Sequence, residues 1–283
     1  MAEELKISYL AKDELICPAC NAAFQREELL SGGGRLIAGP ITDELHRLYE
    51  PSGKYGSIYP LAYQATVCPS CWFASMEKDF SFLPGAAKER VLQDQEKRIS
   101  ELEAVFPQLN FYGNRDLISG TASYYLTMLC YDYYPGTAAP TIKQGIAALR
   151  GGWLFDELHK KYPGEHYDWL SRLFKKKAYF FYTEALNREL NGEESVAVTK
   201  NLGPDTDKNY GYEGVLYLSA LLSFRYGPTE NSSYRETYLG NAKRTLAKMF
   251  GLGKSSKNKP GPLLEHARNL YDNINKELDE TDE

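Results

Sequence analysis

Two short cysteine motifs determine how the N-terminal part of this chain folds. They are Cys17-Pro18-Ala19-Cys20 and, after 47 intervening residues, Cys68-Pro69-Ser70-Cys71. The two-residue gap within each pair lets a tight turn direct two thiolates at one ion. The proline after the first cysteine fixes φ and helps to preform that turn. Two matched pairs therefore predict one metal ion with four sulfur ligands.

Zinc is the metal that this ligand set favours, because Zn²⁺ takes four thiolates in a tetrahedron with bonds of roughly 2.3 Å. A redox dithiol would need a thioredoxin-like strand–helix context, which the sequence lacks. Iron or an iron–sulfur cluster is the remaining alternative. A shell filled by four cysteines leaves no open position for substrate, so the predicted ion is structural. The predicted metal ligands are Cys17, Cys20, Cys68 and Cys71.

The residues around the cysteine pairs predict short strands. Ile16 and Val67 immediately precede the two pairs and are β-prone residues that suit strand ends. Between the pairs, 31–34 reads as a turn, 35–38 as a strand, 42–49 as a short helix or irregular arm, and 63–67 as a strand. We therefore expect residues 1–82 to form a small zinc-ribbon-like β module.

The remainder, 83–283, has the helical period. Its apolar pattern, with Gly or Pro at the stops, predicts seven helices at 84–106, 115–134, 140–161, 166–190, 212–226, 232–250 and 263–278. Short connections make such helices antiparallel neighbours. Small residues recur beside aromatics, which is typical of tetratricopeptide-like packing, although no clean 34-residue repeat is present. The predicted fold is mainly α, an antiparallel helical array behind the β module.

Composition narrows the classes of function. The formal net charge is −5, and residues 1–80 carry seven Lys/Arg against eleven Asp/Glu. Binding to the phosphate backbone of nucleic acid is favoured by an excess of Lys/Arg over Asp/Glu, so nucleic acid is a disfavoured partner. No targeting segment or membrane span is visible, and four of five cysteines lie in tight pairs. These features predict a cytoplasmic protein in a reducing compartment.

Other candidate residues are weaker. Asp43, Glu44, His46 and Arg47 lie between the cysteine pairs and are the candidates for an enzyme site, but no spacing demands one. Cys130 suits a buried small hydrophobe. The stretch 251–255 resembles the end of a phosphate loop without its first glycine or preceding strand. No catalytic residue and no cofactor-binding residue beyond the metal ligands is assigned.

Three surface features remain as possible contacts. They are an aromatic cluster, a basic run and an acidic tail at 277–283. The tail is expected to fray. Any exposed part of the aromatic cluster would suit a partner helix. The cluster is Tyr124, Tyr125, Tyr131, Tyr133 and Tyr134, and the run is Arg172, Lys175, Lys176 and Lys177.

Residues 16–80 resemble a bacterial family catalogued as a domain of unknown function, number twenty-two twenty-five. The resemblance rests on the paired CPxC knuckles and on the stretches 59–63 and 67–74. It implies an N-terminal cysteine module holding zinc, a helical C-terminal part, and no established activity.

These observations favour a zinc-stabilised protein-binding or scaffold protein that uses its helical surface to bind another protein. A zinc-ribbon nucleic-acid-binding regulator is the first alternative. An enzyme with a site between the two parts is the second.

Overall fold

The computed structural model describes residues 5–229, 231–251 and 261–281. Most of the phosphate-loop-like stretch 251–255 therefore lies outside the described residues. The chain is mainly helical, with short strand pairs confined to its N-terminal part. No helix among the described residues is long and apolar enough to cross a membrane.

The N-terminal strands form three separate antiparallel pairs within the described part of the chain. They are β1 (Ser8–Ile16) with β2 (Ala23–Leu29), β3 (Ile37–Ile41) with β4 (Arg47–Glu50), and β5 (Ala65–Val67) with β6 (Ala74–Met76). We call β1–β2 and β5–β6 the cysteine hairpins, because a CPxC motif joins the strands of each. The pair β3–β4 lies between them and is called the insert hairpin.

The segment 42–49, predicted as a short helix or irregular arm, instead supplies the turn and second strand of the insert hairpin. Thr42 accepts the backbone N–H of Leu45 and donates its own to His46, which closes the turn. Leu45 adopts a φ of 62°, which reverses the chain there. Tyr49, a β-prone residue, then pairs with Ala38 of β3.

Eight α-helices follow in the described residues. They are α1 (Lys88–Gln93), α2 (Gln95–Glu103), α3 (Leu117–Cys130), α4 (Pro140–Lys161), α5 (Tyr167–Leu190), α6 (Gly211–Tyr226), α7 (Ser232–Gly251) and α8 (Gly261–Thr281). The predicted helix 84–106 is wrong as a single element, because the chain breaks at Asp94. The acidic tail is helical as far as Thr281, where α8 ends, and Glu277 pairs with Arg235 on α7 at 2.7 Å; residues 282 and 283 lie outside the described residues.

Helices α4 and α5 pack antiparallel at close range because α4 carries glycines along the contact. A Cβ added to Gly145 would lie 2.9 Å from the ring of Tyr182, and one added to Gly151 would lie 2.8 Å from the ring of Phe174. As numbers rise along α4, those of its partners on α5 fall, which defines the antiparallel direction. The close approach of the two helices therefore depends on glycines of α4 that face aromatic rings of α5.

The N-terminal part shares its core with the helices. Gly120 of α3 lies against the short turn Pro60–Tyr63, where an added Cβ would come within 2.4 Å of the Ala62 Cβ. The Tyr124 hydroxyl donates to the Leu61 carbonyl at 2.9 Å. One apolar cluster contains Val67 and Trp72 together with residues of α3 to α8. The division of the chain after residue 82 stays a prediction, but the core is continuous across it.

Candidate metal centre

The two cysteine hairpins repeat one local structure. Each begins with a strand that ends directly before the first cysteine, at Ile16 and at Val67, as the sequence predicts. Ile16 pairs with Ala23 and Val67 with Ala74, so the same number of residues separates the paired ends in both. The motif therefore fixes a complete strand–knuckle–strand unit and not merely a turn.

Matched backbone hydrogen bonds close the two knuckles. The Cys17 carbonyl accepts the N–H of Asn21, and the Cys68 carbonyl accepts that of Trp72, both at 2.9 Å. The residue after the second cysteine takes left-handed φ in each, 61° at Asn21 and 55° at Trp72. This reversal returns the chain to the second strand of each hairpin, which begins at Ala23 and at Ala74.

The four sulfur atoms lie close together. All lie within 4.8 Å of one another. Across the hairpins, Cys17 Sγ is 3.7 Å from Cys71 Sγ, and Cys20 Sγ is 3.6 Å from Cys68 Sγ. A tetrahedron with metal–sulfur bonds of roughly 2.3 Å has edges of about 3.8 Å. The spacing is close to what a metal ion needs and far too long for a disulfide, whose sulfurs are about 2.05 Å apart.

The four-cysteine cluster is buried, and among the described residues no cationic side chain is hydrogen-bonded to its sulfur atoms. Cys17, Cys68 and Cys71 are fully buried and Cys20 is partly buried. Hydrogen bonds to Cys68 raise the pKa of Cys17, and hydrogen bonds to Cys17 and Cys68 raise that of Cys71. The same bonds lower the pKa of Cys68. Ionising one thiol thus opposes ionising the next, and only a bound cation would favour four thiolates together.

Helix α2 braces the second knuckle through a buried arginine. Arg98 is 3% exposed, and its Nη2 donates to the carbonyls of Cys71 at 2.7 Å and of Val91 at 3.0 Å. The side chain thereby ties the position of a candidate ligand to the helical part. Cys130, at the end of α3, is fully buried in a second apolar cluster, which also contains Cys17, Cys68 and Cys71, and burial raises its pKa to about 11. That environment suits a small hydrophobe, as predicted.

The candidate enzyme residues of the insert hairpin lie elsewhere, in contacts with the helices. Glu44 is buried; it accepts the indole N–H of Trp153 at 2.6 Å and the hydroxyl of Tyr226 at 2.9 Å. Asp43 pairs with Arg225, which also reaches Glu44 at 3.3 Å. The hairpin tip is therefore anchored between α4 and α6.

His46 and Arg47 meet a buried carboxylate that the sequence did not single out. His46 Nδ1 is 2.5 Å from Asp205 Oδ2, and its ring stacks on Trp153 with centroids 4.2 Å apart. The backbone N–H of Arg47 donates to the same oxygen at 2.8 Å. Burial alone would raise the pKa of Asp205, but the hydrogen bond and charge of His46, with the backbone donors, lower it overall. The geometry joins these side chains in a structural network.

The predicted aromatic cluster is mostly core. Tyr124 and Tyr131 are fully buried, Tyr134 is buried, and Tyr125 and Tyr133 are half-buried. The basic run divides: Lys175 pairs with Asp156 at 2.6 Å, whereas Arg172 and Lys176 are exposed.

Nothing in the sequence indicates the roles of Arg98 and Asp205, because a single charged residue in a helix or loop forms no pattern.

Comparison with known proteins supports the resemblance noted from the sequence. A family model described as "Uncharacterized protein conserved in bacteria (DUF2225)" matches residues 10–274. A relative from Borreliella burgdorferi, itself described as "Uncharacterized protein", is 42% identical over 274 residues, covering 96% of this chain and 98% of that protein. No solved structure matches the chain. The match extends over both cysteine hairpins and most of the helices, and the chain belongs to the DUF2225 family of bacterial proteins.

Proposed function

We propose that the four cysteines bind one structural zinc ion that clips the two cysteine hairpins together in a zinc-ribbon-like arrangement. The supporting observation is the set of cross-hairpin sulfur distances, 3.6 and 3.7 Å, which match the edges of a thiolate tetrahedron. The four thiols suit a reducing compartment, the cytoplasm. Elemental analysis of the purified chain tests the metal: one zinc per chain is expected, and iron in its place would contradict the proposal.

We also propose that the helical array, with its tetratricopeptide-like antiparallel pairs, is a scaffold that binds another protein. The observation that carries this proposal is the outer face of α5, since the aromatic cluster of α3 is largely buried. Trp169 is 61% exposed, Phe180 58% and Leu190 72%. Their spacing of 11 and 10 residues puts them along one side of the helix. Exposed large apolar residues aligned on one helix face are typical of an interaction surface.

Charge indicates what this face would bind. Arg172 and Lys176 are exposed between Trp169 and Phe180 on the same side of α5. Apolar anchors that alternate with cations complement an amphipathic helix with acidic flanks. The expected partner is therefore a protein that presents such an acidic helix. Shape and charge favour this over nucleic acid, given the net charge of −5 of the whole chain.

Site-specific photo-crosslinking in the native cell tests the scaffold proposal. A crosslinker at Phe180 should give a discrete adduct with an acidic protein, and one at the exposed Tyr112 should not. Trp169→Ala or Lys176→Glu should abolish the adduct while leaving the melting temperature within about 2 °C, since these side chains are exposed. An adduct that survives both substitutions, or a retarded band with DNA or RNA at low salt that both abolish, would contradict it.

A further inference from the structure

A cleft of about 670 Å³ opens between the N-terminal part and the helices, and its lining includes none of the cysteines and no residue of the insert hairpin. Its walls come from the end of β6 and the segment after it, from α4, and from residues 198–206. This volume is in the range that holds a small organic molecule. The cleft is therefore large enough to be a ligand site in its own right.

Two buried cations of α4 face this cleft. Lys143 and Arg150 both line it, and each is more than nine-tenths buried. They are seven residues apart, which places them on one side of the helix. A buried cation is costly unless an anion or several acceptors compensate it. Their partners therefore decide whether the cleft has spare positive charge.

Lys143 has one carboxylate partner that it must share. Its Nζ lies 2.8 Å from Asp79 Oδ2, and the Tyr131 hydroxyl donates to the same oxygen at 2.7 Å. An ammonium group has three donors. Asp79 therefore balances the charge of Lys143 without filling its hydrogen-bonding capacity.

Arg150 contacts neutral acceptors. Its Nε donates to the Pro204 carbonyl at 2.6 Å, and its Nη2 to the Gly203 carbonyl at 3.3 Å. Its Nη1 meets the Met76 thioether sulfur at 3.7 Å, a weak acceptor. No ion pair of Arg150 occurs among the described residues. The Asp205 carbonyl also lies 3.5 Å from Nη2, and the Tyr124 hydroxyl interacts with the guanidinium, so neutral oxygens surround this buried charge without balancing it.

The rest of the cleft is cationic at its rim and apolar on its walls. Lys78 and Lys200 are exposed lining residues, whereas Glu77 is engaged by Arg26 at 2.7 Å. Tyr134 and Phe82 supply aromatic surface. Rim cations raise the local concentration of anions, and an aromatic wall favours an apolar body.

We propose that this cleft binds a small organic anion whose carboxylate or phosphate group is held by Lys143 and Arg150. The apolar body of the ligand lies against Tyr134 and Phe82. Asp79 competes with the ligand for Lys143, so it tunes the affinity. This site is independent of the outer face of α5 and adds a small-molecule input to the proposed scaffold.

Displacement of a fluorescent probe tests the proposal on the full chain. Anilinonaphthalene sulfonate, a planar apolar anion, should bind at one saturable site of the folded protein. Decanoate or decyl phosphate should displace it, and the stronger of the two identifies the anionic group. Displacement by decanol as effective as by either anion, or by inorganic phosphate alone, would overturn the proposal.

Matched substitutions separate the charge effect from folding. Lys143→Met should weaken probe binding by about tenfold, since a charge-assisted hydrogen bond is lost, and Lys143→Arg should restore most of it. Asp79→Asn should strengthen binding several-fold, which loss of structure would not do. Lys160→Met, an exposed cation of the same helix, is the control and should change nothing. Unchanged affinity in both Lys143→Met and Asp79→Asn would refute the proposal.

Discussion

Two polar clusters at hairpin tips differ in where their compensating charge comes from. At the insert hairpin, Glu44 is met by Trp153, Tyr226 and Arg225, so the helices complete the cluster. At the cysteine hairpins, four thiols face one another, and ionising one opposes ionising the next. The contacts of Glu44 need no bound ion, whereas the four cysteines need a cation if all four are to be thiolates. We therefore expect removal of the metal to destabilise the cysteine hairpins and to leave the insert hairpin intact.

Loss of one metal ligand should have the largest effect. Cys17→Ser should abolish metal binding and remove hydrogen-exchange protection from both cysteine hairpins, because structural zinc supplies roughly 10–16 kcal/mol in small zinc peptides. The insert hairpin, held by the helices, should keep its protection. Cys130→Ala is the matched control: it removes a buried thiol outside the cluster and should retain the metal. Equal loss of protection in all three hairpins would contradict the claim that the helices, and not the metal, hold the insert hairpin.

Truncation at the insert hairpin should have the next largest effect. Glu44→Ala leaves the Trp153 indole N–H and the Tyr226 hydroxyl without their buried acceptor, which should cost about 2–3 kcal/mol, while Arg225 keeps Asp43 as its partner. Urea denaturation measures this, and the metal content should not change. Glu50→Ala, at the exposed end of β4, should cost less than about 0.5 kcal/mol. Loss of metal in Glu44→Ala would show that the two tips are not independent.

Removal of the brace behind the second knuckle should have a smaller effect on the metal. Arg98→Met frees the Cys71 carbonyl and should weaken metal affinity by roughly 10–100-fold, the usual effect of losing a partner behind a ligand. Competition with a zinc chelator gives the affinity. Lys97→Met, its exposed neighbour on α2, should leave the affinity unchanged. If the two variants retain metal equally, Arg98 does not position Cys71.

Protonation of Asp205 at acid pH should lower the free energy of unfolding, and this is the smallest of the four expected effects. The pKa of Asp205 is lower in the folded protein than its ordinary value of 3.8. The ionised form is thus favoured by folding, so this stabilisation is complete above pH 3.8 and is lost as the pH falls through the folded-state pKa. We expect the difference in unfolding free energy between wild type and Asp205→Asn, measured by urea unfolding, to be smaller at pH 3 than at pH 5. A difference that is the same at both values would contradict the assignment.

Local patterns were the predictable part of the structure. The CPxC spacing identified the four cysteines that converge, and Ile16 and Val67 end strands as expected. The Gly and Pro stops located the C-terminal ends of α4 to α7 within one residue, because helix ends depend on chemistry within one turn, whereas α8 extends three residues beyond its predicted end. The break at Asp94 was missed, since nothing in the local sequence forbids a continuous helix there.

Contacts between distant residues were not predictable. Asp205 lies about 160 positions from His46, and a lone acidic residue in a loop gives no sign of its partner. The segment 42–49 became a hairpin because the helices hold its tip, which overrides a weak local preference. The burial of Tyr124 and Tyr131 likewise depends on the N-terminal part packing on α3.

Zinc K-edge X-ray absorption of the purified chain tests the central claim most directly. We predict one zinc per chain with a single shell of four sulfur atoms at about 2.3 Å. A shell containing nitrogen or oxygen, or a chain that folds with iron or with no metal at the four cysteines, would contradict it.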